Sequence, residues 1–151
     1  VIVFDVEPWS QVRPEMAHLW PAHYEEIATN RDKIKLDPDF ESYANYEATG
    51  ALHVVVARES GEIVGYHISI IRPHLHYKGS LSAFTDVYYL APDQRRGLAG
   101  VKLFREVEKT LKARGVEKLF SGTKVSLNMG PIFERLGWTL TEHLYTKFIG
   151  D

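Results

Sequence analysis

The heptapeptide Gln94-Arg95-Arg96-Gly97-Leu98-Ala99-Gly100 joins two arginines to two glycines at the point where an extended run gives way to a helical one. Ser82 to Leu90 is rich in Phe, Thr, Val and Tyr and ends before Pro92, as a strand does. Val101, Phe104, Val107 and Leu111, widened by Leu103, make the apolar stripe of a helix that Gly115 terminates. A helix that starts in this turn aims unpaired N–H groups and the positive end of its dipole at whatever lies in front of it. Glycines let the backbone approach a bulky anion, and arginines add charge and donors suited to phosphate. The chemistry this pattern suits is recognition of a pyrophosphate-like group without a metal.

Such a turn works only if other elements hold it. Val1 to Val6 reads as a short strand, and Pro8 to about Ala28 as helix, with Met16, Leu19, Trp20, Tyr24 and Ile27 at three- and four-residue steps and Pro14 and Pro21 as points of division. Asp39 is an N-cap for a helix over Phe40 to Thr49 that Gly50 ends. Leu52 to Arg58 and Ile63 to Arg72, joined by Ser60-Gly61, form a hairpin that Pro73 stops. Beyond the long helix, Lys118 to Thr123 is a short strand, Met129 to Leu136 a helix with Asn128 as N-cap, and Trp138 to Ile149 a last strand. Strand, helix and strand around the long helix imply a parallel crossover, whereas the hairpins imply antiparallel pairing. The expected fold is a single α/β (α+β) domain over residues 1–151, with a mixed, mostly antiparallel central sheet flanked by helices.

Composition narrows the chemistry. The chain of 151 residues is 44% hydrophobic, enough for one core, and lacks cysteine, which excludes disulfides, thiolate metal sites and a cysteine nucleophile. No apolar run approaches the roughly 18 residues of a membrane span, so a cytoplasmic protein with no membrane partner is expected. The net charge of −2 hides an asymmetry: residues 1–50 carry ten acids against four bases, and residues 94–124 nine bases against three acids. His67, His74 and His76 have no carboxylate at ligand spacing, so no metal is expected. In the basic stretch Glu106 and Glu108 interrupt the cations, which disfavours nucleic acid. A homodimer is compatible with the sequence.

Leu90-Ala91-Pro92, the arginine-glycine turn, the amphipathic helix ending at Gly115 and the later Phe133-Glu134-Arg135-Leu136-Gly137-Trp138 occur in order at compatible spacings. Over Leu52 to about Phe148 this arrangement resembles the GCN5-related N-acetyltransferase (GNAT) family. Read as Gln94-X-X-Gly97-X-Ala99, the family's loop motif begins one residue nearer the proline than usual. Read without that shift, Arg95 and Gly100 align and Leu98 replaces a glycine. The resemblance implies acetyl-CoA as acyl donor, with Val87, Tyr88, Tyr89 and Leu90 offering backbone groups to the pantetheine arm. It further implies that the amides of the turn, from Gln94 through Arg95, Arg96, Gly97, Leu98 and Ala99 to Gly100, hold the pyrophosphate.

The resemblance also implies direct transfer of acetyl to a primary amine of a small molecule or protein. The attacking amine must be neutral, which calls for a base. Asp86 stands where the resembling enzymes often carry an acid, ahead of Glu142, His143, His74 and His76. The family's general acid is a tyrosine four residues before the glycine, and here that residue is Phe133, which has no proton to give and is left to pack against the cofactor. Protonation of the leaving thiolate then falls to Tyr145, with Tyr88, Tyr89 and solvent as alternatives. Asn128 is a candidate hydrogen-bond partner for pantetheine, besides its capping role. The acidic N-terminal region, where such enzymes wall their acceptor pocket, hints at a cationic amine. The alternative is a non-catalytic acyl-CoA-binding domain of the same fold, acting as a sensor or interaction module.

Overall fold

The structure is a computed structural model that describes residues 1–151. Five strands form one sheet in the order β1 (Ile2–Val6), β2 (Leu52–Glu59), β3 (Glu62–His74), β4 (Tyr77–Leu90) and β5 (Lys118–Phe120). The first four pair antiparallel, and β5 pairs parallel to β4 after a crossover through the long helix. Three short helices, α1 (Trp9–Met16), α2 (Trp20–Ile27) and α3 (Phe40–Ala48), cover one face, and α4 (Ala99–Ala113) covers the other. A single turn and a half, α5 (Gly130–Arg135), follows β5.

Alternation along the strands builds both layers. Val54 and Val56 of β2, Tyr66 and Ile68 of β3 and Tyr89 of β4 point to the α1–α3 face and pack against Trp9, Val12 and Met16. Val55, Ile71 and Ala83 point the other way, onto Leu103, Val107 and Leu111 of α4. Burying each large side chain of this kind stabilises by about 1.5–3 kcal/mol. Pro14 lies inside α1, and α1 and α2 are separated by a 3-10 turn at Ala17–Leu19, so the prolines bend a helical segment into two as its sequence suggests. Asp39 caps α3, accepting from the Ser42 amide at 3.0 Å.

Two expectations are corrected. Pro73 does not end β3: the strand continues to His74 through a register shift at Pro73/His74, where a bulge tolerates a residue without an N–H. The strand expected over Trp138 to Ile149 does not form. Trp138 is anchored, stacking on Phe133 at 4.7 Å and donating its indole N–H to Glu108 at 2.6 Å. After it the chain leaves the sheet, because β5 offers only three residues and the segment beyond it folds into its own Lys124–Leu127 bridge. Leu140, Leu144, Tyr145 and Ile149 are consequently exposed.

Candidate active site

The pairing of β4 with β5 runs from Ser82/Lys118 to Phe84/Phe120 and stops there. Because β5 ends at Phe120, the β4 edge from Thr85 to Leu90 has no strand partner, and the gap between it and the segment after β5 is the candidate cleft. Val87, Tyr88, Tyr89 and Leu90 all lie on this stretch, each paired to β3 on the opposite edge. Tyr88 bridges the cleft, its hydroxyl donating to the Gly122 carbonyl at 2.8 Å. Burial pushes the Tyr88 phenol pKa up, which keeps the hydroxyl protonated. Its ring meets Phe104 edge-on at 5.3 Å and Phe133 at 6.3 Å.

At the end of β4 the chain makes a 3-10 turn over Pro92–Gln94 and enters α4 at Ala99, with Leu98 at the N-cap position and no side-chain cap. Gly97 has φ +59°, the left-handed region that glycine enters without cost. The amides of Gly97, Leu98 and Gly100 donate no hydrogen bond within the protein. They are the uncapped donors of a helix start, at the mouth of the cleft. Gly100 also lies against α5: a Cβ there would sit 3.0 Å from Ile132 Cδ1.

The turn's side chains do not all serve this mouth. Gln94 donates through Nε2 to Glu59 at 2.7 Å. Arg95, expected to face the anion, is turned inward: Nε donates to the Leu90 carbonyl at 2.6 Å, the guanidinium pairs with Glu26 of α2 at 2.7 Å, and it lies 5.3 Å from the Tyr89 ring centroid. A carboxylate and an aromatic face compete successfully for this cation. Arg96 alone is exposed and unpaired.

Asp86 sits at an irregularity that its sequence does not announce. Ile68 pairs with Val87 and Ser69 with Thr85, so Asp86 has no partner on β3 and forms a β-bulge. The extra residue switches the alternation. Thr85 reaches the α4 side, where its hydroxyl shares a hydrogen bond with His67 at 3.2 Å, while Val87 packs on the α1–α3 side. The Asp86 carboxylate is exposed at the cleft edge and accepts from the hydroxyl of Tyr43 on α3. Tyr43 escapes sequence reasoning, since it lies 43 residues from Asp86 and reads only as part of an amphipathic helix face.

Phe133 is buried against Phe104 at 5.0 Å and Trp138 at 4.7 Å, beneath Tyr88. Asn128 accepts from the Gly130 amide at 2.9 Å, the bond of an Asx turn, and the N-cap of α5 is Met129 rather than Asn128, one residue later than its sequence suggests. Tyr145 is 90% exposed in the tail that forms no strand, and Glu142 and His143 lie in the same tail. His74 and His76 sit together at the far β3–β4 turn, 5.3 Å apart. The N-terminal acids are mostly engaged. Glu7 and Glu15 hold Arg58, Glu25 holds Arg31, Glu26 holds Arg95, Asp39 caps α3 and Glu47 accepts from the Ser10 amide.

A sheet whose fourth strand leads through a bulge and an uncapped turn into a long helix is the architecture of acyl-CoA N-acyltransferases. The chain matches the Acetyltransferase (GNAT) family over residues 15–138, and it belongs to that family. No curated protein sequence is significantly similar to it. Among solved structures, it resembles an aminoglycoside acetyltransferase from an uncultured soil metagenomic sample, with a TM-score of 0.72 and 17% identity over 99% of this chain and 95% of that one. It also resembles a predicted acetyltransferase of Clostridium acetobutylicum with acetyl-CoA (TM-score 0.71, 13% identity, 99% and 97% covered). A third is the ribosomal-protein-alanine N-acetyltransferase of Brucella melitensis biovar Abortus 2308 (0.72, 18%, 99% and 100%). At these identities the likeness is one of fold.

Proposed function

We propose that the protein transfers an acetyl group from acetyl-CoA to a primary amine within a ternary complex. The observation that carries this reading is the continuity of one path. The unpaired β4 edge from Thr85 to Leu90 opens at one end onto the free amides of Gly97, Leu98 and Gly100, and at the other holds the exposed carboxylate of Asp86. Pyrophosphate suits the turn, where Arg96 adds the available cation. The donor supplies an activated acyl group, and the chain supplies alignment and proton traffic.

In the proposed reaction an ammonium loses one proton to Asp86, directly or through water, because only the neutral amine has a lone pair. The amine nitrogen then bonds to the acetyl carbon, and the carbon–sulfur bond breaks. A second proton leaves nitrogen and one arrives on sulfur, so amide, thiol and protonated Asp86 account for every atom. Tyr88 is the proposed relay to sulfur, since its hydroxyl is held beside the β4 edge and remains protonated, whereas Tyr145 is 90% exposed in the tail.

The test measures thiol release from acetyl-CoA against an aminoglycoside, an alanine-initiated peptide, spermidine and tyramine, alongside calorimetry with coenzyme A. Turnover with an amine supports the enzyme. Binding of coenzyme A without turnover would favour the alternative of a ligand-sensing domain, and no binding at all would overturn both readings.

A further inference from the structure

We propose that Tyr43 is a positioning residue for Asp86, fixing the carboxylate that receives the amine's proton and tying the acceptor wall to the donor-binding strand. This rests on the reading of Asp86 as the base. The bulge deprives Asp86 of a partner on β3, and its side chain is exposed, so nothing on its own strand holds it in one orientation. The Tyr43 hydroxyl does, by donating to Oδ2.

Tyr43 is itself well held. Its ring stacks on Trp9 at 5.2 Å and 17°, and Trp9 is only 4% exposed in the core of the α1–α3 face. Phe40, one turn earlier on α3, lies 6.0 Å from the same indole, and Asp39 caps the helix that carries both. A residue on an exposed bulge is thereby tied to the buried core of the α1–α3 face. Burial, and the carboxylate it faces, push the phenol of Tyr43 far up, so it remains a donor whenever Asp86 is ionised. With Oδ2 occupied, the second carboxylate oxygen is left for the amine or its bridging water. Placement to within a fraction of an ångström is what makes a proton acceptor effective.

The experiment compares Tyr43→Phe, Asp86→Asn and the double variant, with kcat and KM separated for acetyl-CoA and for whichever of the four amines named above is turned over fastest. Tyr43→Phe keeps the ring and its stacking on Trp9, and Tyr46→Phe, on the exposed side of the same helix, is the control. The expected result is a kcat lowered roughly ten- to hundredfold by Tyr43→Phe, an acetyl-CoA KM within about twofold of the parent, and no further loss when it is added to Asp86→Asn. Parent-like kcat in Tyr43→Phe, or losses that multiply in the double variant, would overturn the role of Tyr43 while leaving the base intact. Parent-like turnover in Asp86→Asn, or no amine turned over, would overturn the reading beneath it.

Discussion

The guanidinium of Arg95, in the turn that opens α4, is bound to the carboxylate of Glu26 on α2 at 2.7 Å, with both side chains only partly exposed. Two adjacent arginines therefore have separate duties. Arg95 joins the turn to the α1–α3 layer, and Arg96 faces solvent. Arg95→Ala is expected to cost about 1–2 kcal/mol in urea denaturation, since it removes a charge-assisted pair and the bond to the Leu90 carbonyl. Arg96→Ala should leave that midpoint unchanged and weaken coenzyme A binding by about three- to tenfold at low salt, less at high salt. The reverse pattern in calorimetry and denaturation would show that Arg95 leaves Glu26 to meet phosphate.

Gly65 lets the end of β4 close onto β3. It pairs with Leu90, and a Cβ there would stand 2.6 Å from the Tyr89 carbonyl oxygen and 2.8 Å from Leu90 Cδ1. Backbone cannot yield as a side-chain tip can. Gly65→Ala is expected to destabilise by about 2–4 kcal/mol, and to weaken coenzyme A binding by displacing the strand that lines the cleft. Gly79→Ala, where nothing lies within 4 Å, is the matched control and should change stability by less than about 0.5 kcal/mol. Equal midpoints for the two variants would refute the packing argument.

Most of the architecture was legible because local physics wrote it. Periodicity exposed α4, β-branched runs exposed β2 and β3, and prolines and glycines marked the boundaries within a few residues. The turn from Gln94 to Gly100 was legible for the same reason, being a local strand-to-helix signal. What stayed hidden depends on partners distant in the chain. The bulge at Asp86 exists only in the register between β3 and β4, Tyr43 reaches it from 43 residues away, and Glu26 captures Arg95 from 69 residues away. The tail after Trp138 fails in the opposite sense. Its apolar residues suit a strand, but β5 is too short an edge to receive one.

Tyr88 and Tyr145 make opposite predictions as proton donors. Tyr88 is half-buried in the cleft and fixed by the Gly122 carbonyl, while Tyr145 is 90% exposed in the tail. Tyr88→Phe should lower kcat by about a hundredfold with little change in coenzyme A affinity. Tyr145→Phe should match the parent in both. Loss of turnover in Tyr145→Phe alone would move the proton-donor role from Tyr88 to Tyr145.

Three histidines make stability depend on pH in a window that carboxylates leave clear. His53 and His67 lie between the sheet and α4, sharing hydrogen bonds with Thr110 at 2.8 Å and Thr85 at 3.2 Å, and His23 shares one with Tyr66 at 2.9 Å. Burial, the first cause in each, lowers their pKa values to about 4 for His53, about 3 for His67 and about 4 for His23, where Arg95 adds to the lowering and Glu26 opposes it. Above about pH 6.5 all three are neutral in the folded and unfolded chain alike, and their burial costs no protonation energy. Below it the unfolded chain binds protons that the folded chain refuses, so stability falls as pH falls, by roughly 1.4 kcal/mol per pH unit for each histidine. Together they predict a decline of about 4 kcal/mol per unit between pH 6 and 5, above the range in which the carboxylates of Glu15 and Asp39, both held low by their hydrogen bonds, begin to lose their contribution. Urea midpoints at pH 7.5, 6 and 5 read the slope directly. His53→Gln should flatten it by about one proton. A midpoint constant from pH 7.5 to 5 would mean that the buried rings accept protons without unfolding, and would refute the account.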